Sequence, residues 1–171
     1  MPLDRGRTWT YSLYNGLQTY IEPVEVQGPV AVGSGQGAVL SGPMGTSRLG
    51  WSGDTLLAAR LANSGFSPPI PLAVIAGGKG EAKRKWRGTI EAFGIKRDAF
   101  ATLTQTTERR SRGGERYMTT KTELQIQAQE ETGRPTAIEV TTWFRPGIGI
   151  VEQVQRTNRK LIVAMKLLDG G

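Results

Sequence analysis

The chain contains no cysteine and no histidine. Without cysteine there is no disulfide framework and no thiol nucleophile. Without either residue, Ser-His-Asp and Cys-His systems are excluded, and so are nearly all zinc sites. The missing cysteine does not decide the compartment, because 171 residues bury a core that needs no bridge. No apolar run approaches the length of a membrane-spanning helix. Met1-Pro2-Leu3 opens directly into domain sequence, with no signal peptide. The chain is therefore either cytoplasmic or has lost an export segment. Carboxylate, lysine and tyrosine chemistry remain open. Two of Glu91, Glu123 and Glu139 would serve a carboxylate-pair hydrolase, but nothing in their spacing selects a pair. We therefore expect no enzyme, cofactor or metal.

What is present reads as strand and turn. Ile138, Val140, Thr142 and Phe144 alternate with Glu139, Thr141 and Trp143, the period of a strand. Pro146 removes a ladder donor, so that strand ends near Arg145. Gly147 and Gly149 let the backbone turn, and Ile150 to Gln155 resumes an extended run. This corner organises the rest of the reading.

Taken in order, Trp9, Tyr11 and Leu13 share one face of a first strand. Asn15-Gly16 predicts a type I′ hairpin, with a return strand from Leu17 to about Val26 and Pro23 marking an edge or bulge. Gly28 to Gly45 reads as a mobile glycine-rich hairpin loop. Its Gly33-Ser34-Gly35-Gln36-Gly37 is no phosphate cradle, since no lysine follows in P-loop spacing. Residues 55 to 61 are ambiguous. Asp54 either caps a helix ended by Gly65 or belongs to a hairpin turn with Gly53. Propensity favours the helix and the surrounding strands favour the hairpin; we place Leu57 in a strand. Pro68-Pro69-Ile70-Pro71-Leu72 predicts a rigid polyproline crossover at a barrel rim, running into Ala73 to Ala76 and a stop at Gly77-Gly78. Further strands follow at Trp86 to Phe93, Asp98 to Thr107, Tyr117 to Gln129, Ile150 to Arg156 and Lys160 to Leu168. Turns fall at Gly94, Gly113-Gly114, Glu131-Thr132-Gly133 and Thr157-Asn158, and Asp169 onward is a tail. The expected fold is a single domain over residues 1–171. It is all-β, or β with one short helix, with ~ten strands in an antiparallel meander. A sheet that large curls into a half-barrel or closes into a barrel-like meander.

The net charge is +7. Of the 22 basic residues, 11 lie between Lys79 and Arg116. Loops at 79–87 and 108–116 hold most of these. Lys83, Arg84, Lys85, Arg109, Arg110 and Arg112 are therefore candidate polyanion-binding residues. Nucleic acid is a disfavoured partner, because base-stacking aromatics are absent from these loops apart from Trp86 and Tyr117 at their ends.

Three segments carry a resemblance. Pro2-Leu3-x-x-Gly6-x-x-Trp9-x-Tyr11 resembles the opening of a class of bacterial secreted and lipoprotein β domains of unknown function. Lys85-Trp86-Arg87-Gly88 resembles their central strand. Trp143-Phe144-Arg145-Pro146-Gly147-Ile148-Gly149-Ile150-Val151 resembles their closing W-F-A-P-G-V-G-L-V corner. The class is similar to lipoprotein-carrier (LolA/LppX-like) half-barrels, whose concave face holds acyl chains. Arg145 stands where the class has alanine, Arg112-Gly113-Gly114 replaces a P-A-G turn, and no lipobox cysteine is present. The class supplies no catalytic residue. The resemblance implies an extracytoplasmic domain, periplasmic or secreted, whose export segment is absent from this sequence. Its partner would be a lipid, another apolar ligand, or an envelope protein.

A curved sheet leaves a concave face that needs a plug. The proline-rich crossover and the Ala73 to Ala76 run are the plug candidates. The expected apolar pocket lies between them and the corner, at Trp143, Phe144, Pro146, Ile70 and Leu72. Trp9, Trp51, Trp86 and Trp143 either line that concavity or are plain core.

Overall fold

Strand alternation runs through the whole chain, and the sheet it builds closes on itself. The computed structural model describes residues 1–75, 81–130 and 133–170. In order come β1 (Thr8–Tyr14), β2 (Thr19–Val32), β3 (Gly35–Gly42) and β4 (Gly45–Ser52). β5 (Thr55–Leu61), β6 (Ser64–Val74), β7 (Ala82–Ala92) and β8 (Ile95–Arg112) follow. β9 (Glu115–Ala128), β10 (Thr136–Arg145), β11 (Gly149–Thr157) and β12 (Lys160–Gly170) complete the set. Each strand pairs antiparallel with the next, and β12 returns to pair with β1. The meander is thus a closed barrel of twelve strands, with no helix among the described residues.

Several local expectations change. Gly28 to Gly45 is not a loop. Only Gly33-Ser34 and Pro43-Met44 turn, and the rest belongs to β2, β3 and the start of β4. Val30, Val32, Ala38 and Leu40 carry the strand period there, and glycine density masked it. Asn15-Gly16 is not a two-residue type I′ turn. Tyr14 pairs with Thr19 across four residues, and the Asn15 side-chain oxygen accepts from the Leu17 and Gln18 amides. Leu57 lies in β5, so tertiary pairing overrides helix propensity over 55–61. Asp169 is not in a tail; it pairs with Thr10 in the closing ladder. The expected stop at Gly77-Gly78, the turn residues Glu131-Thr132, and Lys79 lie outside the described residues.

The proline-rich segment is a wall strand rather than a crossover. β6 pairs with β5 along most of its length, but its ladder to β7 runs only from Ser64 to Ser67. Pro68, Pro69 and Pro71 have no N–H to continue it. Past that point β6 is covered on both faces, and Ile70 to Val74 are all buried. Gly88 on β7 makes this overlap feasible, because a Cβ there would meet the Ser67 carbonyl and the Pro68 ring. Gln105 on β8 then takes the place of the missing strand. Its side-chain oxygen accepts from the Val74 amide at 2.8 Å, and its side-chain nitrogen donates to the Val74 carbonyl at 2.7 Å.

Elsewhere the lumen is filled by ordinary period-two packing. Ala99, Ala101 and Leu103 of β8 stand opposite Ala128, Ile126 and Leu124 of β9, and all six are buried. Gln105→Leu keeps the volume of its site but strands both Val74 groups. It should lower unfolding free energy by about 2–4 kcal/mol in a urea titration, at roughly 1–3 kcal/mol per unsatisfied buried group. Gly88→Ala should cost about 1–3 kcal/mol through overpacking.

Candidate functional site

In a meander, successive hairpins turn at opposite ends of the barrel. One end, here the corner end, holds the β10–β11 corner together with the turns at Gly33-Ser34, Gly53-Asp54 and Gly113-Gly114. The other, the rim end, holds the turns at Asn15 to Gln18, Pro43-Met44, Ala62-Asn63, Phe93-Gly94 and Asn158-Arg159.

At the rim end the lumen opens into a cleft of about 710 Å³. Leu13, Met44, Leu61, Phe93, Ile138 and Val163 supply most of its apolar wall. Below it lies a chamber of about 110 Å³, walled by Leu40, Leu72, Val140, Phe144, Ile150 and Met165. Leu13, Met44 and Leu61 border both spaces, as does Gln155, so the two lie side by side. A further cleft of about 400 Å³ lies at the corner end, between Ala73 to Ile75 and Phe144 to Gly147. Phe144 borders both this cleft and the central chamber. Polar groups interrupt the path, among them Asn15, Asn63, Thr136 and Gln155. Thr142 and Gln153 bond to each other at 3.2 Å, and Glu22 and Arg97 stand at the rim, where Arg97 pairs with Glu130 at 3.0 Å.

The structure separates the five residues expected at an apolar pocket. Phe144 and Leu72 line the central chamber, and Pro146 borders the corner cleft. Ile70 is fully buried in packed core and borders none of these spaces. Trp143 is on the other face. It is adjacent to Phe144 in a strand, so the two side chains must diverge, and Trp143 points out of the barrel. Of the candidate carboxylates, Glu91 pairs with Lys96 and Glu123 with Lys121. Glu139 holds an outward register position opposite Gln125.

The four tryptophans do not line the lumen as a set. Each indole N–H has an acceptor. Trp9 donates to the Ile148 carbonyl at 2.8 Å, Trp51 to Met1, Trp86 to Pro68, and Trp143 to a Glu108 carboxylate oxygen. Tyr11 donates to the Ile150 carbonyl at 2.8 Å and Arg7 to that of Gly147 at 2.9 Å. The opening segment of the chain therefore clamps the closing corner carbonyl by carbonyl. The Tyr11 phenol is held well above its ordinary pKa of 10.0 by burial.

The candidate polyanion loops are mostly strand. Residues 82–92 form β7, and the β8–β9 ladder runs on to Arg112 and Glu115, past the end of β10. That extension is an arm laid against the outside of β10, β11 and β12. Arg110 stacks over Trp143 at 4.6 Å and pairs with Glu152 at 2.7 Å. Arg112 donates to the Leu167 and Leu168 carbonyls at 2.7 and 2.9 Å. Arg145 pairs with Glu115 and stacks over Tyr117. Two of the expected anion-binding arginines thus hold the arm to the wall. Arg109, Lys83 and Lys85 remain exposed, and exposed Arg84 lies 3.8 Å from Asp54. Sequence reasoning missed the rim residues Leu13, Met44, Leu61 and Phe93. Counting hairpins would have found them, since every second turn shares an end, but the count was short by two strands.

Two solved structures share this fold. A candidate lipoprotein from Parabacteroides distasonis matches with a TM-score of 0.61 at 12% identity, over 99% of this chain and 97% of its own. A candidate exported protein with a YmcC-like fold from Bacteroides fragilis matches with a TM-score of 0.57 at 14% identity, again over 99% and 97%. No protein-family model and no curated protein matches the chain.

The raised pKa of Tyr11 gives a pH dependence with a definite sign. The phenol keeps its proton in the folded barrel where the unfolded chain loses it. Its contribution is complete below pH 10 and is lost as pH rises beyond that value. Denaturant midpoints measured across that range should fall for the native chain, and Tyr11→Phe should remove one proton's worth of the slope.

Proposed function

We propose that this chain is a non-enzymatic, extracytoplasmic barrel that takes an apolar chain, such as the acyl tail of a lipid, into its lumen from the rim end. The observation that supports this reading is the set of apolar side chains, Leu13, Met44 and Leu61, shared by the 710 Å³ cleft and the chamber bordered by Leu72, Val140 and Phe144. A methylene chain suits such a path, since each buried CH₂ contributes about 0.8 kcal/mol and asks for no hydrogen bond. The extracytoplasmic placement draws support from the fold shared with bacterial proteins named as a lipoprotein and an exported protein. The alternative, a polyanion-binding module, keeps Lys83, Lys85 and Arg109 exposed but gives up Arg110 and Arg112 to internal bonds. It ranks second for that reason.

Native mass spectrometry of protein purified from its own host, with lipid extraction, should detect a bound lipid. A fluorescent fatty acid should bind and be displaced by unlabelled fatty acid. Val140→Trp, which fills the chamber, should weaken that binding at least about tenfold, or ~1.4 kcal/mol. A clean apo mass, together with no fluorescence change on adding fatty acid or phospholipid, would remove the lipid reading.

A further inference from the structure

The rim carries apolar side chains that the fold does not use. Leu17, at the tip of the first hairpin, is 89% exposed, and Phe93, at the tip of the β7–β8 hairpin, is 86% exposed. Phe93 also sits at φ 53°, in the left-handed region that bulky L residues avoid. Asparagine or glycine would make that turn with less strain and leave no ring in water. Folding therefore gives no account of Phe93. It is not isolated either. Ile95 follows on its hairpin, Ile21 lies early in β2 after Leu17, and Leu161 and Ile162 follow the β11–β12 turn. With Tyr14 and Tyr20, eight of the twelve exposed large apolar side chains among the described residues lie at this end. The β1–β2 and β11–β12 hairpins are adjacent in the barrel, while β7–β8 stands away from them around the ring. The apolar tips thus surround the mouth rather than forming one stripe.

Cations are interspersed with these tips. Arg134, Arg159 and Lys160 are exposed and form no ion pair among the described residues. At this end Glu91 and Glu130 are taken up by Lys96 and Arg97, and Glu22 also stands at the rim. We propose that the rim end docks on an anionic phospholipid surface, with Leu17 and Phe93 inserted at the headgroup–acyl boundary. Arg134, Arg159 and Lys160 would then lie against the headgroups. Apolar tips ringed by arginine and lysine gain from both layers of such a surface, the acyl boundary through buried area and the headgroups through charge. A protein partner would have to match separated tips with separate pockets, whereas a bilayer accepts them at any spacing. This docking does not depend on the lumen holding a ligand, though it would bring the 710 Å³ cleft to face the bilayer.

The test is flotation of the full chain with vesicles of phosphatidylcholine alone and of phosphatidylcholine mixed with phosphatidylglycerol. The native chain should float with the mixed vesicles, and less so as salt rises. Leu17→Ser with Phe93→Asn should reduce the partition constant at least about tenfold, since both signals for stable attachment are needed. Neither side chain packs on the fold, and asparagine suits the turn, so the variant should melt no lower than the native chain. Lys83→Ser with Lys85→Ser, towards the corner end, should leave flotation unchanged. A Phe93→Trp chain should show a blue-shifted emission component on adding the mixed vesicles. Absence of flotation would overturn the proposal, as would flotation that survives both tip substitutions or that fails only in the Lys83/Lys85 variant. A native dimer that Phe93→Asn returns to monomer, with no vesicle binding, would assign the rim to a second copy instead.

Discussion

Closing a sheet of this length leaves carbonyls that no strand can reach, and the barrel depends on side-chain donors to satisfy them. The ladder fails in two places. At the β10–β11 corner, Pro146 and the positive-φ glycines at 147 and 149 turn the backbone away from its neighbours. At β6, three prolines end pairing with β7 after Ser67. A buried carbonyl left unpaired costs roughly 1–3 kcal/mol. Trp9, Tyr11 and Arg7 answer the first gap, and Trp86 and Gln105 the second. An indole is well suited to this work, because its N–H sits at the edge of a large apolar ring and can be buried to reach an acceptor deep in the core. Residues 2–11, 85–88 and 143–151 hold most of these donors and acceptors, so these segments serve barrel closure.

The arm ties distant stretches of the sequence together. Arg145 of the closing corner and Arg112 beside the Gly113-Gly114 turn lie far apart in the chain, yet they serve one feature. Arg145 pairs with Glu115 and stacks on Tyr117, just beyond the Gly113-Gly114 tip, while Arg112 holds the same tip to β12. A long arm needs partners on the wall it crosses, and the corner supplies one.

The strand character of this chain was legible wherever one face is polar. Tyr117 to Gln129 and Ile138 to Phe144 declared themselves by alternation, and the all-β, barrel-like reading followed. Two kinds of information were hidden. Glycine-rich strands such as β3 carry too few apolar side chains to show a period, so Gly28 to Gly45 read as loop. Prolines in β6 read as a crossover, because the sequence does not say that a Gln105 amide will stand in for a lost ladder. The site suffered from the same limits. Phe144 and Leu72 line the central chamber, but Trp143 was grouped with Phe144 although period two puts neighbours on opposite faces. The basic run at 109–112 looked like a solvated loop, since nothing local reveals that Glu152 and the β12 carbonyls wait beside it.

The distribution of clamps also separates the two ends of the lumen mechanically. At the corner end, Arg7, Trp9 and Tyr11 bond residues about 140 positions away, and Trp51 bonds Met1. Opening that end means breaking several long-range bonds together, three of them part-buried. Among the described residues, side-chain bonds at the rim end are shorter in reach. Asn15 and Tyr14 bond within their own hairpin, Arg60 reaches the Ala62 carbonyl, and Asn158 bridges only to neighbouring β10 at Ala137. Links between rim elements, such as Arg97 to Glu130 and the Ala62 amide to the Ser47 hydroxyl, span fewer residues than the corner clamps. Regions held by local, solvent-exposed bonds open at lower free energy than a clamped core. A guest in the proposed lumen would therefore enter more readily at the rim end, and the corner end, tied by its long-range clamps, would act as the fixed base.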